Sequence, residues 1–157
     1  MDTFKASEIF EIASRIEENG QQFYRHAMTV TDDAAIKDMF AFLADEESKH
    51  KKTFEGMLAK IESYQPPESY PGEYCAYLRA YAEGLVFSPE RMESELAGIT
   101  DAESAIEFAL QREIESILYY IEARGFVPEN QKLEVDKIVE EERRHYLKLI
   151  DAKKNLN

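Results

Sequence analysis

The chain has 157 residues and a formal net charge of −13 at pH 7. That is enough length for one domain with a real core and too acidic a balance for nucleic acid, which needs clustered Lys and Arg. Cys75 is the one cysteine, which excludes an intrachain disulfide and a Cys-x-x-Cys metal knuckle. The N-terminal residues through Glu8 carry no apolar signal-peptide core. No run of about 18 apolar residues is present to span a membrane, so the cytoplasm is the expected compartment.

Four long segments show helical periodicity. The first is predicted from about Ser7, a candidate N-cap, to Met28, where Thr29-Val30-Thr31-Asp32 resists further helix. The second starts near Asp32 or Asp33 and runs to about Ser63, stopped by Pro66-Pro67. Residues 63–99 then form a crossover. Pro66, Pro67, Pro71 and Gly72 mark irregular chain, and Tyr74, Tyr77, Leu78, Tyr81 and Leu85 give one short helical stripe. The third long helix is predicted after Thr100 as N-cap, with Glu103 placed for a capping box, and ends at Arg124-Gly125 with the glycine as C-cap. The fourth starts near Pro128 as a first-turn residue and runs to about Lys153. The expected architecture is all-α: two helical hairpins in one domain over residues 1–157. A crossover this long can travel the length of a bundle and set the second and third long helices parallel.

The two hairpins repeat one pattern. Glu17 is followed by Glu47-Ser48-Lys49-His50, and Glu113 by Glu142-Arg143-Arg144-His145. Glu113 follows Glu17 by 96 residues, Glu142 follows Glu47 by 95, and His145 follows His50 by 95. The overlay also sets Tyr120 on Tyr24, Ser116 on Gly20 and Arg112 on Ile16. One Glu from each of two helices, plus a Glu-x-x-His from each of the other two, is the ligand set of di-iron or di-manganese bundles.

Helical phase places these residues inside. Steps of three and four give the seam Ile36, Phe40, Leu43, Glu47, His50, Phe54, Met57, Ile61 on the second helix. On the fourth they give Val135, Ile138, Glu142, His145, Leu149, Ala152. The first helix reads Phe10, Ala13, Glu17, Gly20, Tyr24, Ala27, and the third Ile106, Ala109, Glu113, Ser116, Tyr120, Ala123. Four ionised carboxylates buried without compensation would cost several kcal/mol each. Divalent cations remove that cost, and iron, manganese and zinc all accept carboxylate oxygen and imidazole nitrogen. Glu47 and Glu142 can bridge two metals while His50 and His145 cap one each, leaving Glu17 and Glu113 as terminal ligands. Spacing alone also allows Glu46 and Glu141, four residues before each His; the seam prefers Glu47 and Glu142. Glu17 and Glu113 are preferred over Glu18 and Glu115 for the same reason. The small residues Ala13, Gly20, Ala109 and Ser116 leave room beside the cluster. His26 lies off the seam and reads as surface or structural. Tyr24 and Tyr120 read as core aromatics whose hydroxyls can reach a ligand carboxylate. Cys75, Tyr70, Tyr74, Tyr77 and Tyr81 read as packing residues of the crossover.

On Glu17-x-x-Gly20-x-x-x-Tyr24, Glu47-x-x-His50, Glu113-x-x-Ser116-x-x-x-Tyr120 and Glu142-x-x-His145, nearly the whole chain resembles the rubrerythrin branch of the ferritin-like superfamily. The resemblance implies a ferritin-like four-helix bundle and two iron ions, with manganese or zinc possible in their place, on Glu17, Glu47, His50, Glu113, Glu142 and His145. It further implies oxidoreductase chemistry with peroxide or dioxygen, or oxidation of ferrous iron, together with a separate electron donor and a homodimer. Two departures stand out. The rubredoxin module of full rubrerythrins needs cysteines that this sequence lacks. The additional Glu that those proteins carry one turn after the third-helix ligand is here Ser116. The competing expectations are a metal-binding or iron-handling protein without turnover, and an interaction module that metal only stabilises.

Overall fold

The computed structural model describes residues 6–61 and 72–156. Among them are six α-helices and no strand: α1 (Ala6–Ala27), α2 (Ala34–Lys60), α3 (Gly72–Leu85), α4 (Pro89–Ala97), α5 (Ala102–Ala123) and α6 (Glu129–Asn155). The four long ones are the predicted four. No described helix is long and apolar enough to cross a membrane.

Contacts between the long helices fix their directions. On α1 and α2, Phe10 meets Phe54 at one end and Tyr24 meets Phe40 at the other. On α2 and α6, Lys148 lies over Phe42, His50 reaches Glu141, and the Met57 carbonyl accepts from Gln131. On α5 and α6, Glu107 pairs with Lys153 and Arg124 with Asp136. Tyr24 bonds Glu113, and Tyr120 bonds Glu17, between α1 and α5. Every neighbouring pair is therefore antiparallel, which leaves α2 and α5 parallel across the bundle. The long crossover makes that possible.

The helix ends correct several expectations. Ser7 lies inside the first turn of α1 rather than capping it. Asp33 caps α2, accepting from the Ile36 N–H at 3.0 Å. The cap of α5 is Asp101, not Thr100, and its capping box closes with Ser104 rather than Glu103. A carboxylate one residue later competes successfully with the threonine hydroxyl and moves the frame by one. Gly125 takes no positive φ; the chain leaves α5 through a 3-10 turn at Arg124–Phe126 instead. Pro128 directly precedes α6 instead of opening its first turn. The crossover holds two helices rather than one. Ser88 caps the second, accepting from Arg91 N–H, and Pro89 opens it. Pro66, Pro67, Tyr70 and Pro71, and the side chains of Tyr74 and Cys75, lie outside the described residues.

Apolar burial falls into two clusters, one toward each end of the bundle. One gathers Phe10, Phe54, Met57, Tyr120 and Val135 with Leu78, Ala82 and Leu85 of α3. The other gathers Phe23, Phe40, Leu43, Ile106, Ala109 and Leu149. The acids and imidazoles of the seams belong to neither cluster, and a polar layer therefore sits at mid-length between two dry ends.

Candidate metal centre

Each long helix delivers its seam to the interior. Glu17, Glu47, His50, Glu113, Glu142 and His145 are all buried, none more than 5% exposed. The alternatives face outward or sideways. Glu46 pairs with Lys49 at 2.5 Å, Glu18 with Lys51 at 3.4 Å, and Glu115 accepts from the Gln111 amide at 2.7 Å. The preference for Glu17, Glu47, Glu113 and Glu142 matches this placement.

The six residues sort into two overlapping sets. Glu17, Glu47, His50 and Glu142 each offer one ligand atom, all within 4.8 Å of one another. Glu47, Glu113, Glu142 and His145 do the same. Glu47 and Glu142 belong to both sets. The imidazoles stack at 5.5 Å between centroids, and both turn Nδ1 toward the acids. His50 Nδ1 stands 2.7 Å from Glu142 Oε1 and 3.6 Å from Glu17 Oε2. His145 Nδ1 stands 3.4 Å from Glu47 Oε1 and 3.7 Å from Glu113 Oε1.

Apart from the close imidazole–carboxylate approaches, these atoms converge without well-formed hydrogen bonds. Glu17 Oε2, Glu47 Oε1, His50 Nδ1, Glu113 Oε2, Glu142 Oε1 and His145 Nδ1 are all buried with no hydrogen-bond partner. Buried polar groups are nearly always satisfied, and here every candidate ligand leaves one atom unused. A cation pair fits that donor set, since oxygen and imidazole nitrogen suit iron, manganese and zinc.

The electrostatics of the cluster point the same way. Burial, then the charges of Glu142 and Glu17, push the Glu47 carboxyl well above the ordinary range. Burial and Glu142 do the same to Glu113. Burial also opposes the Glu17 charge, but hydrogen bonding from Glu47 and His50 outweighs it and holds that carboxyl low. Burial opposes the His50 charge too, yet Glu142 and Glu17 push its pKa up to about 12. His145 is lowered, chiefly by burial.

The surrounding shell holds the ligands in place. Tyr24 donates to Glu113 Oε1 at 2.5 Å, and Tyr120 donates to Glu17 Oε1, so each tyrosine crosses to the other hairpin. Burial, then the carboxylate each one bonds, raises both phenols well above their usual range, so both remain donors. His50 Nε2 meets Glu141 Oε2 at 2.7 Å. This leaves Nδ1 facing the cluster, the arrangement in which an outer carboxylate orients a ligating imidazole. Sequence spacing had offered Glu141 as a rival ligand, but it serves the ring from behind. In the other hairpin the equivalent Glu46 is taken up by Lys49. His26 Nε2 lies 3.1 Å from the Ile99 carbonyl, away from the cluster. Tyr81 donates to the Glu115 carbonyl at 2.8 Å and stacks with Tyr77.

Gly20 and Ser116 leave the room expected of them. A Cβ at Gly20 would stand 3.4 Å from Glu47 Cγ and Oε2, so a side chain longer than a methyl would press on the acid. Beside the cluster, a cavity of about 20 Å³ is lined by Gly20, Ser116, Glu47, Glu113 and Glu142, and by Phe87 and Met92 from the crossover. Arg112 also lines it. The sequence reading gave this residue no role, since an arginine in a Glu-rich helix looks like surface.

The chain is similar over 100% of its length to a crystal structure described as a ferritin-like diiron-carboxylate protein from Thermotoga maritima. The two are 27% identical with a TM-score of 0.72, and the match covers 99% of that chain. No curated protein matches. The family model for rubrerythrin matches residues 8–153. The bundle is ferritin-like, and the chain belongs to the rubrerythrin family.

Proposed function

We propose that this protein is a di-iron carboxylate oxidoreductase that reacts with peroxide or dioxygen, or oxidises ferrous iron. Glu17, Glu47, His50, Glu113, Glu142 and His145 would hold the two ions, with Glu47 and Glu142 shared. The observation that carries the reading is the convergence of six buried atoms that lack a well-formed hydrogen bond, one on each of these residues. Two ferrous ions supply two electrons, the number that reduction of peroxide to two waters consumes.

The remaining work belongs to the protein. Tyr24 and Tyr120 fix Glu113 and Glu17 by short hydrogen bonds. Glu141 fixes the His50 ring. The two apolar clusters flank the polar layer, and apolar surroundings strengthen charge interactions. The cavity admits one or two water-sized atoms, since a single water needs about 10–15 Å³ of such space. That size supports a small oxidant as the reactant. With no rubredoxin-type cysteines in the sequence, a separate donor returns the electrons.

The test is anaerobic loading with ferrous iron, metal analysis, then stopped-flow mixing with peroxide or dioxygen while ferric absorption is followed. About two irons per chain, the occupancy of a two-metal site, and one oxidation per pair are expected, with repeated turnover only when a reductant is added. Two bound irons that neither oxidant alters would leave a metal-binding role without turnover. Failure to bind metal would overturn the reading altogether.

A further inference from the structure

Arg112 on α5 is buried, with 9% of its surface exposed. Its Nη1 donates to the Leu85 carbonyl at the end of α3, at 2.5 Å. Its guanidinium lies 4.6 Å from the centre of the Phe87 ring. These contacts tie the crossover to α5, but they use only part of the group. Nη2 is buried with no hydrogen-bond partner, and Glu115, the acid nearest to the guanidinium, stands 3.9 Å from Nη1. Burial lowers its pKa, yet an arginine remains protonated in a protein. A buried N–H of a charged group left without an acceptor is costly, and Nη2 is such a donor.

The repeat shows that the fold does not need a cation here. The equivalent place in the first hairpin is Ile16, which is buried and lines the same cavity. Among the residues lining that cavity, Arg112 is the one cation. Two divalent ions would cancel the four carboxylates of the cluster. The positive charge left over at the cavity wall would then be that of Arg112, facing a space of about 20 Å³.

We propose that Arg112 and the cavity it lines form a subsite for a two-atom monoanion beside the metal centre, hydroperoxide being the oxidant form it takes. The anion's far end receives an N–H from the guanidinium while its near end lies against the cluster. The inference rests on the proposed metal centre for that near end. Arginine suits the task because its planar fork offers donors in fixed directions that a lysine lacks.

The probes are two diatomics of similar size and different charge, cyanide and nitric oxide. Cyanide is titrated into the ferric protein and nitric oxide into the ferrous protein, each followed by absorbance. Metal content and helical content are measured first for wild type, Arg112→Gln and Arg112→Lys. In Arg112→Gln the affinity for cyanide should fall roughly tenfold or more, the worth of one charge-assisted hydrogen bond, with nitric oxide affinity and metal content unchanged. Arg112→Lys should retain part of the cyanide affinity. Equal cyanide affinity in wild type and Arg112→Gln, both holding two irons, overturns the subsite and leaves the metal centre standing. Wild-type protein that binds no iron removes both. A crystal of the wild-type protein soaked in cyanide asks the same question without a substitution. Cyanide within hydrogen-bond reach of Arg112 is expected; cyanide elsewhere, or none in the cavity, overturns the proposal.

Discussion

Replacing Glu47 with leucine should make the metal-free protein more stable while abolishing its response to metal. Glu47 is 5% exposed and its Oε1 has no hydrogen-bond partner. Burial and the neighbouring acids hold its proton on, so without metal it is a polar group in an apolar seam between Leu43 and Phe54. Burying a polar group that lacks hydrogen-bond partners costs about 1–3 kcal/mol, which an apolar side chain of similar volume would relieve. Against that stands the hydrogen bonding that Glu47 gives Glu17, worth about 1 kcal/mol. The net gain is about 0–2 kcal/mol, or up to roughly 8 °C in melting temperature for a chain of this size. Metal should act oppositely. At a thousand times its dissociation constant, a ligand adds about 4 kcal/mol, and Glu47→Leu forfeits most of that by removing an acid common to both sets. The assay is thermal melting by circular dichroism with chelator and with added ferrous or zinc ion. Chelated Glu47→Leu should melt above chelated wild type, and the order should reverse with metal. Chelated Glu47→Leu melting below chelated wild type, at equal helical content, would refute the reasoning.

Two further outcomes follow from the same charges. Metal-free protein should lose stability as pH rises from about 4.5. Glu47 and Glu113 have folded pKa values above their unfolded ones, and so does His50, up to about 12. Each contributes stability that is full below its unfolded pKa and lost as pH climbs through the folded one. Glu17 is shifted down, and its contribution is lost only on acidification, below that window. His145 is also lowered, from 6.5, so its contribution grows with pH up to 6.5 and opposes the others there. Melting temperatures of chelated protein between pH 7 and 9 should therefore fall, and a rise would count against the assignment. Tyr24→Phe and Tyr120→Phe should each weaken metal binding roughly tenfold, the usual cost of an outer partner. The two effects should be of similar size because the hydrogen bonds are duplicates. Competition against a metal indicator reads this directly, and an unchanged affinity in both variants would show that the tyrosines only pack.

The acids were legible because their phase is redundant. Glu47 and His50 stand in a seam with Phe40, Leu43 and Phe54, and the same arrangement recurs at Glu142 and His145. One Glu-x-x-His on a Glu-rich helix would have looked like surface. What the sequence left dark depends on contacts between distant segments. Arg112 gains its burial from the Leu85 carbonyl and the Phe87 ring, and no local pattern announces either. Glu141 sits in an acidic run, and its task shows only when His50, 91 residues away, turns Nε2 toward it. The second crossover helix did leave a local signal, Ser88 followed by Pro89, which the apolar stripe of α3 overshadowed. Asp101 displaced Thr100 because two neighbouring residues could both cap, and the stronger acceptor set the frame.

The repeated hairpins have a consequence for symmetry. Each set of ligand atoms draws on both hairpins, so neither hairpin can enclose a metal alone. Two identical hairpins assembled about a twofold axis would build the same cage, but every residue would then appear in duplicate around it. Joining them in one chain lifts that obligation. Here the ligands have stayed matched while their neighbours have diverged: Ile16 against Arg112, Gly20 against Ser116. The crossover that joins the halves adds Phe87 and Met92 to the wall where they differ. A site with mirrored ligands can thereby have one chemically distinct mouth, giving an incoming molecule a single direction of approach.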